Sequence, residues 1–410
     1  MKMKIRNHNK DLLPILLRMD EGYTPTAEEE RKLMEITEID FSSLFLTSLP
    51  KCLSFLVSLR SLDISHNSLK ELPEDLGKLS ALQFLDVSDN RLLFLPECLG
   101  QLSALQSLDA SGNLLESLPA CLGQLSALQS LDASDNRLEL LPEWLGQLSA
   151  LRSLNVSGNQ INTLPECFEK LSALQTLDIS DNLLDFLPDS LGQLSALQSL
   201  DVSDNLLYSL PECLERLSAL QTLDVSSNRL QHLPEYWGQL PALKSFNVRN
   251  NQLEELPESI GQLTALEVFN VTNNMLDSLP ESFGYLTKLY ELDLGDNRLT
   301  KLPDTFANLC SLQGLYIWSN PIAVFPPQIF KLSSLQVLDI STTSIQDIPP
   351  YISKLKELKF FNLHSLKLHK IPPEIMALNL PFIFETPKYN DVVGIYLKNV
   401  SLSTQPVSLF

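Results

Sequence analysis

The sequence predicts an α/β solenoid: a curved, horseshoe-like stack with a parallel β-sheet on its concave side and short helices or 3₁₀ turns on its convex side. Three observations predict it. Fifteen prolines, from Pro50 to Pro372, recur every 23 residues without insertion or deletion. Twelve asparagines, from Asn67 to Asn320, keep the same period. Between these markers, apolar residues fall at spacings that suit first a strand and then a tight helical turn. A chain of 410 residues is long for one globular core, and a repeat array removes that difficulty.

Residues 105–127, LQSLDASGNLLESLPACLGQLSA, serve as a specimen unit. Leu108 and Ala110 alternate with Asp109 and Ser111, as in a short strand with one buried face. Asn113 ends the strand, and its amide can satisfy backbone groups that would otherwise be buried unpaired. Pro119 fixes the backbone on the way to the outer side. Leu122, Leu125 and Leu128, three apart, then suit a short helix or 3₁₀ turn. One unit cannot bury its own leucines, so neighbours must stack. At about 4.8 Å per strand, fifteen strands predict a sheet on the order of 70 Å long.

Three regions follow: residues 1–36 as an N-terminal helical cap, 37–378 as about fifteen repeats, and 379–410 as a C-terminal cap and tail. In the first, Asp11 and Pro14 break the apolar segment and no small-residue cleavage site follows. This reads as an amphipathic helix, not a secretory signal. Thr24-Pro25 and Thr26-x-x-Glu29 signal a helix over about 25–36 that lays Leu33, Met34 and Ile36 on the first repeat. In the last, Phe382, Phe384, Val392, Ile395 and Leu397 supply apolar surface for a closing cap.

The columns N-x-L-x-x-L-P-x-x-L-G-x-L-x-x-L resemble the 23-residue repeats of the leucine-rich-repeat family. Such repeats occur in Scribble-type scaffolds, plant intracellular Ras-group proteins and bacterial repeat proteins. The resemblance spans about residues 37–378 and implies a protein-binding scaffold. The blocks at 99–109, 122–132 and 191–201 are identical, and the tail resembles the C-terminal signals of bacterial secreted effectors. A bacterial effector delivered to a host cytosol is therefore one expectation within a general cytoplasmic one.

Composition narrows the partners. With 30 basic and 50 acidic residues the net charge is −20, which opposes nucleic acid and anionic membranes. No run of apolar residues reaches the roughly 20 needed to span a bilayer. Cys52, Cys98, Cys121, Cys167 and Cys213 share one column, two residues after a proline, and Cys310 stands apart. That placement suits free thiols in a reducing compartment better than disulfides.

Signs of chemistry are missing from the pattern. There is no glycine-rich phosphate loop, and no histidine lies in a metal-ligand spacing. The column from Asp40 to Asp339 is a straight row of carboxylates, not the convergent set that calcium needs. Cys310 has no histidine beside it in sequence to act as a base. No catalytic residue, metal or cofactor is expected.

The expected function is therefore recognition of a protein partner on the concave face by a monomer, acting as scaffold, adaptor or inhibitor. The alternative is a substrate-recognition subunit of a separate enzyme, such as a ubiquitin ligase or a GTPase signalling complex. Exposed strand positions are monotonous from about 83 to 227, apart from Phe84, Arg152 and Asn155. From 244 to 318 they hold Lys244, Arg249, Glu267, Val268, Tyr290, Glu291, Tyr316 and Trp318. Aromatics and arginine dominate binding energy at interfaces, so these eight are the candidate partner-binding residues.

Overall fold

A computed structural model describes residues 13–235, 237–369, 372–378 and Leu380. The C-terminal cap expected over 379–410 lies outside the described residues except for Leu380. The chain divides into two compact units, Met1–Gln252 and Leu253–Phe410.

The first unit opens with α1 (Leu13–Asp20) and α2 (Ala27–Met34). Pro14 sits in the first turn of α1 rather than interrupting it, where a missing backbone N–H costs nothing. Thr26 caps α2 through a capping box with Glu29, so the helix begins two residues later than expected. Only Leu33 of the three expected contacts is deeply buried; Met34 is half exposed. The fastening comes instead from α1. Leu16 is fully buried, and Asp20 accepts hydrogen bonds from the backbone of Lys51 and Cys52 at 2.7 and 3.0 Å.

Ten three-residue strands follow, from β1 (Glu38–Asp40) to β10 (Ser245–Asn247), one per repeat. Each pairs in parallel with the next at a register of 23 residues, as Ser61 with Phe84 and Ser107 with Ser130. The second unit continues the pattern with β11 (Val268–Asn270), β12 (Glu291–Asp293), β13 (Gly314–Tyr316), β14 (Val337–Asp339) and β15 (Phe360–Asn362). These pair in the same way.

The outer segments are 3₁₀ turns, not α-helices. Pro96, at φ −73°, precedes the turn Glu97–Gln101, and Leu102 closes it with a backbone bond to Leu99. Five residues suffice to carry Cys98 and Leu99 inward, and a longer helix would not fit the 23-residue period. The core is leucine-dominated in the first unit. In the second, Phe283 stacks between Phe269 and Phe306, each pair of ring centroids 6.1 Å apart.

Asparagine side chains join the repeats. Asn182 is buried; its Oδ1 accepts from the backbone N of Ile161 at 2.9 Å. Its Nδ2 faces the carbonyls of Val156, Ile179 and Ser180 at 3.0–3.1 Å. Two of these four partners belong to the preceding repeat. The residue before each asparagine takes the left-handed region, as His66, Asp89, Asp135 and Asp181 do near φ +50°. That conformation explains why the column before the asparagines holds Asp, Asn, Gly, Ser and one His and avoids large apolar residues.

The column cysteines are free and buried, whereas Cys310 is exposed. Burial pushes the Cys98, Cys121 and Cys213 thiols up to about 11 and Cys52 to about 12. Thiols held protonated are poor nucleophiles.

Two outcomes follow from this packing. Replacing Asn182 with Ala should cost about 1–3 kcal/mol in denaturant melts, because buried backbone groups lose their partner. Gln193→Ala, on an exposed side chain, should change stability by less than about 0.5 kcal/mol, and equal shifts would refute the ladder. In thiol titration at pH 8 the native chain should release one fast equivalent, from Cys310, with the buried thiols reacting only on denaturation. Rapid labelling of Cys98 or Cys121 would contradict the burial.

Candidate protein-binding face

The outward columns of the sheet are less free than their polarity suggests. Asp109 Oδ1 accepts from both the backbone N and the hydroxyl of Ser111, at 3.0 and 2.6 Å. The same clamp recurs at Asp63–Ser65, Asp132–Ser134 and Asp201–Ser203. Ser65, Ser134 and Ser203 are consequently buried, although the alternation of strand residues places them outward. The clamp holds the turn into the asparagine, so these two columns serve folding.

A row of carboxylates on adjacent strands is repulsive, and asparagines interrupt it. Asn155 donates to Asp132 Oδ2 at 3.0 Å, Asn247 to Asp224 at 2.8 Å and Asn362 to Asp339 at 2.8 Å. Asn155 also accepts from Ser157 where an aspartate would, at 3.0 and 2.8 Å, so the amide replaces the carboxylate in the clamp. No asparagine separates Asp178, Asp201 and Asp224. Burial, only partly offset by Ser203 and reinforced by the two neighbouring carboxylates, pushes Asp201 up to about 6.

The consensus breaks in the second unit. Register places Val268, Glu291 and Gly314 side by side, and likewise Asn270, Asp293 and Tyr316. Tyr316 thus occupies the aspartate column, and Trp318 the clamp-serine column. Each ring approaches a glycine. A Cβ added at Gly295 would fall into the indole of Trp318, and one added at Gly314 would lie 3.4 Å from Cε2 of Tyr316. Without a serine at 295, Asp293 keeps only the backbone N of Gly295 at 2.9 Å from the ordinary clamp. Burial raises the Glu291 and Asp293 carboxyls, and burial with nearby carboxylates raises the Tyr316 phenol.

Six of the eight predicted residues therefore lie on or beside three consecutive strands, β11 to β13. Tyr290 is 39% exposed, and Glu267, Val268, Glu291, Tyr316 and Trp318 are half-buried. Lys244 and Arg249 are exposed on either side of β10 and belong to the first unit. Sequence reasoning missed Gly295, Gly314 and Asp293. The two glycines were visible as departures from serine columns, but only the aromatic rings above them give those departures a purpose. Among the described residues, no group of three His, Cys, Asp or Glu side chains could hold a metal ion. No described helix is long and apolar enough to cross a membrane.

These features define a class, the parallel-strand repeat solenoid that serves protein interaction. The family described as leucine-rich repeat region matches residues 47–156, 134–228 and 235–324, and related leucine-rich repeat families match 310–368 and 219–240. The chain belongs to the leucine-rich-repeat family. No curated protein sequence matches it. Among solved structures it is similar to a leucine-rich-repeat protein of Leptospira interrogans, at 31% identity and TM-score 0.83, covering 89% of this chain and 95% of that one. It is also similar to the plant peptide hormone receptor RGFR1 in complex with RGF2, at 27% identity and TM-score 0.72, covering 86% and 63%. A third is the ectodomain of the Arabidopsis thaliana receptor kinase GASSHO1/SCHENGEN3 in complex with CASPARIAN STRIP INTEGRITY FACTOR 2. It shares 28% identity and TM-score 0.64, covering 82% and 45%. The fold supports a protein-binding role, and proteins of this kind are as a rule interaction modules rather than enzymes.

The carboxylate row gives a pH prediction. Asp201 holds its proton more tightly folded than unfolded, where its pKa is about 3.9. Its contribution to stability is therefore full below about pH 4 and is lost as pH rises through about 6. Asp201→Asn should keep the clamp, as Asn155 does, and remove this loss. Melts should find the variant more stable at pH 7 by about 1 kcal/mol, allowing for solvent screening, with a flatter profile between about pH 4 and 6. Superimposable profiles would show that the row carries no strain.

Proposed function

We propose that the sheet face over β11 to β13 binds a protein or peptide partner, and that the chain acts as a scaffold, adaptor or occluding inhibitor. One observation carries this reading: Tyr316 and Trp318 replace the aspartate and serine that clamp other repeats. The substitution gives up a folding interaction for aromatic surface on a polar sheet. Folding alone has no use for that exchange, since the neighbouring Asp339–Ser341 clamp is intact at 2.6 Å.

Related solenoids support the partner class, since RGFR1 and GASSHO1/SCHENGEN3 are each complexed with the factor named alongside them. Free, buried cysteines support a reducing compartment, in keeping with a cytoplasmic protein or an effector acting in a host cytosol. The monomer is the simplest state for such a molecule, with the sheet face left open to its partner.

Quantitative capture from lysate on the immobilised chain tests this reading. Trp318→Ala and Tyr316→Ala should each weaken binding of the principal captured protein by about 2 kcal/mol or more, roughly thirty-fold. Phe84→Ala should not, although Phe84 is an aromatic 47% exposed on another strand of the face. Equal retention by wild type and both patch variants would sink the assignment.

A further inference from the structure

We propose that the patch formed by Tyr316, Trp318 and Glu291 receives a cationic side chain, so that the partner presents an arginine or lysine to it. This rests on the reading that the face binds a partner, and it names the chemistry of the group bound.

The indole of Trp318 is laid flat. The ring atoms nearest the place of an added Cβ at Gly295 are Cε2, Nε1 and Cδ2 of Trp318, atoms around the junction of its two rings. The indole therefore lies across the glycine backbone, with one face on the sheet and the other turned outward. Tyr316 folds back along its own strand, with Cε2 and the hydroxyl 3.4 and 3.8 Å from the same point at Gly314. Glycine at 295 makes the indole's position possible, because a side chain there would collide with the ring. An outward aromatic face attracts a cation, and an indole face does so most strongly.

A carboxylate stands beside the rings. Cγ of Glu291 lies 3.6 Å from the Gly314 point that Tyr316 also approaches, so the acid and the phenol ring line one recess. Among the described residues, no lysine or arginine forms an ion pair with Glu291, Asp293 or Asp339. The groups that act electrostatically on Glu291 and Tyr316 are all carboxylates, and burial raises both. An acid half out of water without a counter-ion is a cost to the free protein that a bound cation would relieve. Asp293 and Asp339 differ from Glu291. Asp293 accepts from the Gly295 backbone, and Asp339 accepts from Ser341 and Asn362. Glu291 is thus the acid left for the ligand.

Other ligand classes fit less well. A purely apolar side chain would cover the rings and strand Glu291 without water or partner. An anion would meet three neighbouring carboxylates on a chain of net charge −20. A guanidinium both stacks on aromatic faces and donates to a carboxylate, which is the combination offered here.

The chain has three tryptophans, so indole-selective ¹⁵N labelling gives three N–H signals, and W318F assigns one of them. Nα-acetyl-arginine methylamide is titrated at low salt against its citrulline isostere, which keeps the shape and loses the charge. The expected result is a saturable shift of the Trp318 signal by the arginine probe, with the citrulline probe at least about five-fold weaker. Glu291→Gln should weaken the arginine response several-fold while the signals of Trp144 and Trp237 keep their positions, which guards against misfolding. Equal responses to the two probes, an unchanged response in Glu291→Gln, or no shift at Trp318 would overturn the cation assignment. Capture by the Trp318→Ala variant would still report independently on the binding face.

Discussion

The reach of the asparagine side chain, one repeat back, is the constraint on which the rest of the structure depends. From Asn67 to Asn251 in the first unit, each Oδ1 takes a backbone N–H of the preceding repeat and each Nδ2 a carbonyl 26 residues back. A side chain of fixed length thereby sets the rise between repeats, and with it the strand register. The period admits no insertion, because one extra residue would carry the amide out of hydrogen-bond range. The left-handed turn before each asparagine and the aspartate–serine clamp aim that amide. Three columns of the repeat therefore act as one device.

Because that device consumes the aspartate and serine columns, most of the polar sheet face is committed to folding. Asp–Ser clamps explain how a surface of small polar residues can be uniform without being a binding surface. Where the device is relaxed, chemistry can be written. Gly295, Gly314, Tyr316 and Trp318 stand together in two adjacent repeats of the second unit.

The fold was legible because the repeat is a sum of short-range rules read many times over: leucine spacing, proline after the crossing, asparagine at the turn. Tyr316 and Trp318 were legible as departures from columns. Other features depended on three-dimensional contact. Ser134 was indistinguishable from an exposed strand serine until its bond to Asp132 was seen. Gly295 had no meaning without the indole above it. Met34 fits a helix facing the core by spacing alone, yet α1, with Leu16 and Asp20, already occupies that end. Thr342 takes the left-handed position at φ +55° despite its branched Cβ. Column statistics did not foretell that the conformation outlasts the residue types that favour it.

The backward direction of the asparagine bonds gives the molecule a polarity in time. A repeat made on the ribosome has no side chain to complete its turn until the next one emerges, so folding must trail synthesis by one unit. The same polarity works in reverse at the far end. Asn320 ties Leu299 and Leu294 of the repeat before it, but Thr343 in the next position bonds only to Ile340 within its own turn. Repeats beyond Asn320 are held by strand pairing and packing without this tether. Unravelling from the C-terminal side meets its first latch at that residue, in the same repeat as the aromatic patch.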